Sequence, residues 1–135
     1  MILNKREIRG FTLVEIMIVV AVIAVLAAIA APNWVRARKR TQATRILEDL
    51  RNLDHAVDQY AIDNSRKGGT GVAFADLQPY VKQGTMLYIT GADLFGDSYG
   101  PFTVDVTVQV PAGAYVTLSD VAPATFWSPY MVAAQ

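Results

Sequence analysis

One carboxylate stands inside an apolar stretch, and it is the side chain in this sequence with the most to explain. Ile16 to Ala31 reads IMIVVAVIAVLAAIAA without interruption, and Phe11-Thr12-Leu13-Val14-Glu15 leads into it. A charge well inside a bilayer costs about 2.5–3.5 kcal/mol on insertion scales. Glu15 lies about one turn inside the apolar start, so its cost is smaller, yet it still requires a reason. It can snorkel to the headgroups or sit protonated. Alternatively, it awaits a cation buried with it. Lys5, Arg6 and Arg9 lie before it and could serve while residues 1–10 stay attached. A free α-amine at Phe11, presented by a neighbouring chain, would serve better. Pairing removes much of the penalty on each charge, whereas losing one partner strands the other.

Other chemistry is sparse. There is no Cys and a single His, His55. Disulfides, Cys-zinc sites, thiol nucleophiles and multi-His metal sites are therefore excluded. No P-loop, dinucleotide fingerprint, HExxH or nucleophile elbow is present. Nothing singles out a carboxylate pair, so no enzyme activity is expected. Arg36, Arg38, Lys39 and Arg40 form a basic cluster, but Trp34 is its only aromatic neighbour and no nucleic-acid-binding pattern surrounds it. No nucleic-acid partner is expected.

The elements that must position Glu15 follow from composition. The chain has 135 residues, 53% hydrophobic and 18% charged, with no net charge. One ordinary domain fits that length. Charge falls in blocks: +2 over residues 1–10, −1 over 11–35, +4 over 36–51 and −5 over 52–135. A basic start, an apolar run, a basic collar and an acidic remainder describe a membrane-anchored protein with a polar head. Phe11 to Ala31 would span about 31 Å as a helix, close to the ~30 Å hydrocarbon core. A cleaved signal peptide with Ala28-Ile29-Ala30 at its end, a plain signal anchor, and a transmembrane helix with a further role all compete. The length of the run and the carboxylate near its start weigh against the signal peptide.

Lys5-Arg6-Glu7-Ile8-Arg9-Gly10, then Phe11-Thr12-Leu13-Val14-Glu15, then the apolar run, resembles the leader and helix of type IV pilins and type II secretion pseudopilins. The resemblance covers residues 5–35 or so. It implies an α+β, pilin-like fold, with a long N-terminal helix packed on a small antiparallel sheet. It implies a leader over residues 1–10, a transmembrane and assembly helix over 11–35, an amphipathic helix over 36–63 and a small β head over 64–135. A prepilin peptidase would cut between Gly10 and Phe11 and methylate the Phe11 amine, which keeps its charge. Phe11, Thr12 and Glu15 would form the inter-subunit assembly site. The implied partners are other pilin-like subunits, the peptidase and N-methyltransferase, an inner-membrane assembly platform with its ATPase, and the lipid bilayer. The implied location is the inner membrane, single-pass, with the head outside the cytoplasm, and then a periplasmic or extracellular filament. The charge count disagrees: three basic residues flank the run on its N-terminal side and four follow within ten residues of Ala31, which alone would favour the reverse orientation. Two alternatives stay open, a minor filament-tip subunit whose head binds a ligand and an ordinary secreted binding module.

The same resemblance places a helix kink at Pro32; a new helix starting there is the other possibility. Beyond it, Ile46, Leu50, Leu53, Val57 and Tyr60 recur at helical steps, with His55 among the polar residues opposite. From Phe11 to Asp63 such a helix would run about 80 Å. In the head, Phe102, Val104, Val106, Val108 and Val110 alternate with polar residues as in a strand, Ala114 to Leu118 suits a hairpin partner, and Met86 to Thr90 suits a short strand. A two- to four-stranded sheet would then pack on Ile46, Leu50, Leu53 and Val57. The aromatic tail, Pro123 to Tyr130, reads as a strap over the sheet edge or as a subunit contact. Asp93-Leu94-Phe95-Gly96-Asp97-Ser98-Tyr99 loosely resembles a segment of major pseudopilins, some of which bind calcium. Asp93, Asp97 and Asp120 could supply its oxygen ligands, although Asp in turns usually serves the backbone. The missing Cys pair and the short head lean towards a pseudopilin.

Overall fold

The computed structural model describes residues 10–130, and the chain divides into two units, residues 1–35 and 36–135. One helix, α1 (Leu13–Asp63), supplies the described helical part of the first unit and opens the second. It begins at a capping box. The Thr12 hydroxyl accepts from the Glu15 amide at 3.2 Å, and the Glu15 carboxylate accepts from the Thr12 amide at 3.4 Å. Two amides that a helix start leaves without partners are thereby satisfied. The helix runs on through Pro32, as the continuous alternative required, and does not restart there. Residues 10–38 are all exposed, and the apolar part is long and apolar enough to cross a membrane.

In the second unit α1 becomes amphipathic. Ala43, Ile46, Leu50 and Leu53 have no exposed surface, and Val57 has almost none. Their spacing puts them on one face, and the head covers that face. The head opens with β1 (Gly71–Val72) and α2 (Phe74–Leu77), followed by a 3-10 turn at Gln78–Tyr80. It continues through α3 (Met86–Thr90), β2 (Phe102–Thr103) and α4 (Ala112–Leu118), and ends in a 3-10 turn at Ala124–Trp127. β1 and β2 pair antiparallel, with Gly71 opposite Thr103 and Val72 opposite Phe102. Leu77, Tyr99, Val110, Leu118 and Trp127 join the α1 stripe in one core.

The fold is the expected mixed one, a long helix against a small antiparallel sheet, but the sheet is much smaller than the alternation suggests. The run from Phe102 leaves the pairing after Val104, whose amide donates to the Thr70 carbonyl and whose carbonyl accepts from the Gly69 amide, both at 2.9 Å. Asp105 takes a positive φ of 62°, and the Val106 amide turns back to the Thr103 carbonyl at 3.2 Å. Val106 is thereby turned out, half exposed, while Val104, Val108 and Val110 stay buried. The expected hairpin partner is instead α4, led in by Pro111, and an unpartnered run has no ladder to join. Met86 to Thr90 is likewise a helix. The Thr85 hydroxyl caps its start by accepting from the Tyr88 amide at 3.1 Å, and Gly91, left-handed at φ 62°, ends it. The aromatic tail sends Trp127 and Tyr130 into the core: Trp127 is fully buried and donates its indole N–H to the Ala122 carbonyl at 3.1 Å.

Candidate assembly interface

The α1 start is a specific arrangement built from four consecutive residues. Thr12 supplies the cap hydroxyl and Glu15 the returning carboxylate, and only a Ser or Thr three residues before a Glu or Gln does this reciprocally. The bond from Thr12 uses Oε2 of Glu15. Among the described residues, Oε1 accepts no hydrogen bond. Phe11, 79% exposed, lies just outside the helix. The signal for the role of Thr12 in holding Glu15 is the Thr-x-x-Glu signature ahead of an apolar run. Gly10 precedes Phe11 with open space around its α-carbon.

From Ile16 to Val35 the helix presents large apolar side chains that no described residue covers; Val25, Leu26 and Ile29 are each more than 60% exposed. Apolar surface of that extent on a single helix marks an interaction surface for lipid or for other helices.

Beyond residue 35 the exposed face of α1 is charged. Among the described residues there is one ion pair, Lys39 Nζ to Asp120 Oδ2 at 2.9 Å, with both side chains partly exposed. The lysine holds the Asp120 carboxyl below its ordinary range. The pairs Arg45–Asp49 and Glu48–Arg51, at helical spacing, do not close into ion pairs. Asp49 instead accepts from the Tyr99 hydroxyl at 3.2 Å. Burial pushes the Asp49 carboxyl up, against the Tyr99 hydrogen bond and Arg45, which pull it down. Burial also pushes the Tyr99 phenol up, reinforced by Asp49 and Asp93. This half-buried contact joins residues fifty positions apart, and no local sequence signal announces it.

The three aspartates considered for calcium are not brought together as a set. Asp120 is taken by Lys39. Asp93 Oδ1 accepts from the amides of Phe95 and Asp97 at 2.8 and 2.9 Å, a turn serving its own backbone, while Oδ2 is buried without a partner. Among the described residues no group of three His, Cys, Asp or Glu side chains is placed to hold a metal. His55 is exposed on α1, as its place on the polar face requires.

The N-terminal segment is similar to known proteins. The prokaryotic N-terminal methylation motif matches residues 5–31. The type II secretion system core protein G of Klebsiella pneumoniae is 41% identical over 58 residues, 43% of this chain and 41% of the relative. The type IV wide pilus major component PilA4 of Thermus thermophilus is 43% identical over 60 residues, 44% of this chain and 46% of the relative. The core protein G of Escherichia coli is 39% identical over 56 residues, 42% of this chain and 39% of the relative. The chain thus spans less than half the length of these curated relatives. No solved structure gives a significant match. The resemblance to type IV pilins and type II secretion pseudopilins is borne out over the segment these matches cover.

Proposed function

We propose that this chain is a structural subunit of a type IV pilus-like filament or type II secretion pseudopilus, with no catalysis of its own. The observation that carries the reading is the α1 start: Phe11 and a carboxylate-capped turn stand at the head of a helix whose apolar surface from Ile16 to Val35 no described residue covers. Residues 1–10 are the leader. Cleavage between Gly10 and Phe11 by a prepilin peptidase creates an amine at Phe11, and N-methylation leaves that amine charged. Glu15 holds the Thr12 amide with one oxygen and offers the other to the Phe11 amine of an adjoining copy. A subunit out of register leaves an unpaired carboxylate in hydrocarbon, so the pair acts as a docking check. Residues 11–35 anchor the precursor in the inner membrane with the head outside the cytoplasm, and then pack against other copies in a periplasmic or extracellular filament. Pro32, which lacks an amide hydrogen, gives this packing helix a point of local give. The assembly platform, its ATPase and the bilayer are the partners this route requires.

The test is the N-terminus of the native protein. Mass spectrometry of the mature chain is expected to find N-methyl-Phe11 as its first residue. A chain beginning near residue 31 would mean ordinary secretion, and one retaining Met1 to Gly10 would remove the amine on which the reading depends.

A further inference from the structure

Between Glu15 and Glu48 every charged residue is basic: Arg36, Arg38, Lys39, Arg40 and Arg45. Lys39 is held by Asp120, whereas Arg36, Arg38 and Arg40 are exposed and form no ion pair among the described residues. A helix turns about 100° per residue, so Arg36 and Arg40 stand about 40° apart and Arg38 about 160° from both. The three therefore ring the helix and do not share one face. A protein lying against α1 would meet one side of it and leave Arg38, or the other two, in water. A layer of phosphates surrounding the helix would meet all three.

The spacing along the sequence fits such a layer. Ala31 ends the apolar run, and Arg36 to Arg40 follow five to nine residues later, about 8–14 Å along a helix. The headgroups of each leaflet occupy about 5–8 Å outside the ~30 Å hydrocarbon core. Side chains on a helix tilt towards its N-terminus, here the bilayer side, which brings long arginines back to headgroup level. Trp34, three residues past the run and 67% exposed, is of the residue type enriched at that boundary. With the head outside the cytoplasm these cations oppose the usual distribution of charge, so holding them there calls for a compensating contact. We infer that Arg36, Arg38 and Arg40 bind the phosphates of anionic phospholipids in the leaflet from which α1 emerges. This rests on the membrane-anchor part of the filament reading and adds to it the class of lipid. Arginine forks meet phosphate oxygens two at a time, and a negatively charged surface strengthens each contact.

The chain has two tryptophans, and Trp127 is buried in the head, so Trp34 is the fluorophore that lipid can reach. The full chain is reconstituted in vesicles of phosphatidylcholine with phosphatidylglycerol, one or the other lipid brominated near its glycerol at equal mole fraction. Brominated phosphatidylglycerol is expected to quench Trp34 with an apparent affinity about fivefold or more above that of brominated phosphatidylcholine, since one arginine at an anionic surface is worth about that factor. The triple variant Arg36→Gln, Arg38→Gln, Arg40→Gln is expected to bring the ratio to about one, and high salt to lower it. The triple variant Arg51→Gln, Arg66→Gln, Lys67→Gln removes as many charges elsewhere in the 36–135 unit and is expected to leave the ratio unchanged. Equal quenching of the parent by both lipids overturns the inference, as does an equal loss in the two triple variants. Equal quenching together with polymer loss in the first triple variant would assign the arginines to an acidic protein instead, and overturns it too. Quenching by neither lipid means that α1 does not enter the bilayer, and the anchor reading falls with the inference; equal quenching by both sinks the inference alone.

Discussion

Replacing Tyr99 with Phe removes a single oxygen from the centre of the head and tests whether the Asp49 contact holds the 36–135 unit together. Tyr99 is 1% exposed, and its hydroxyl donates to Asp49 Oδ2 at 3.2 Å. Phe fills the same space, so no cavity term enters. A hydrogen bond to a charged acceptor contributes about 1.5–3 kcal/mol, and this one is long and its acceptor only half-buried, so a loss of about 1–2 kcal/mol is expected at neutral pH. For a unit of this size each kcal/mol lowers the melting temperature by roughly 4–8 °C. The pH dependence follows from the groups around Asp49. Burial raises its carboxyl, Tyr99 and Arg45 lower it, and Glu48 and Asp93 raise it again. A carboxyl raised in the folded state favours folding below its unfolded pKa and loses that contribution as pH rises through the folded one. Without Tyr99 the carboxyl rises further. The variant is therefore expected to trail the parent most at neutral pH and least in acid. The assay is urea unfolding of the full chain in detergent, followed by Trp127 fluorescence with the exposed Trp34 replaced by Phe. Equal losses at both ends of the pH range, or no loss at neutral pH, would refute the reasoning.

Gly91→Ala meets two obstacles at once, a positive φ of 62° and a Cβ position 2.8 Å from the Phe74 ring. A loss of about 1–3 kcal/mol is expected in the same unfolding assay. Leu50→Ala empties a fully buried position where α1 meets the head. It is expected to cost about 2–5 kcal/mol, read as an earlier urea midpoint with an unchanged slope. Lys39→Met removes the cation that lowers the Asp120 carboxyl, and an NMR titration should show that carboxyl returning towards its ordinary range.

The two halves of this chain differ in how much their sequence discloses. The apolar run, the 46–57 stripe and the carboxylate ahead of them are periodic or isolated features that only a few structures satisfy, and α1 follows from them directly. The head misleads because its alternation is real but local. Four of the five apolar residues from Phe102 to Val110 are buried, as a strand face would be, yet Asp105 breaks the backbone and, among the described residues, no strand pairs the run beyond it. Strand formation depends on a neighbour, whereas helix hydrogen bonds are internal, so a short segment discloses the second better than the first. Thr85 and Gly91 did mark the ends of α3, a signal that the apolar content of Met86 to Thr90 obscured. The Tyr99–Asp49 contact has no periodicity to betray it and exists only once the core has formed.

Glu15 carries two roles in one side chain, and a single substitution can separate them. As a capping residue it needs an acceptor oxygen at the third helical position, which Gln supplies as well as Glu. As a partner for a buried amine it needs charge, which Gln lacks. Glu15→Ala removes both, so failure of that variant to polymerise would not say which was lost. Glu15→Gln keeps the bond from the Thr12 amide and leaves α1 starting at Leu13, while any amine brought beside it would be buried without a counter-ion. Losing one partner of a buried charge pair costs about 3–5 kcal/mol. That is a loss of more than a hundredfold in association per contact. Glu15→Gln is therefore expected to be inserted and cleaved like the parent, with an unchanged helix content by circular dichroism, and yet to yield almost no filament in sheared fractions. Thr12→Val makes the complementary change, since it breaks the cap and leaves the carboxylate, and is expected to assemble. Normal filaments from Glu15→Gln together with none from Thr12→Val would reverse the assignment, making the helix start, and not the charge, the feature on which assembly depends.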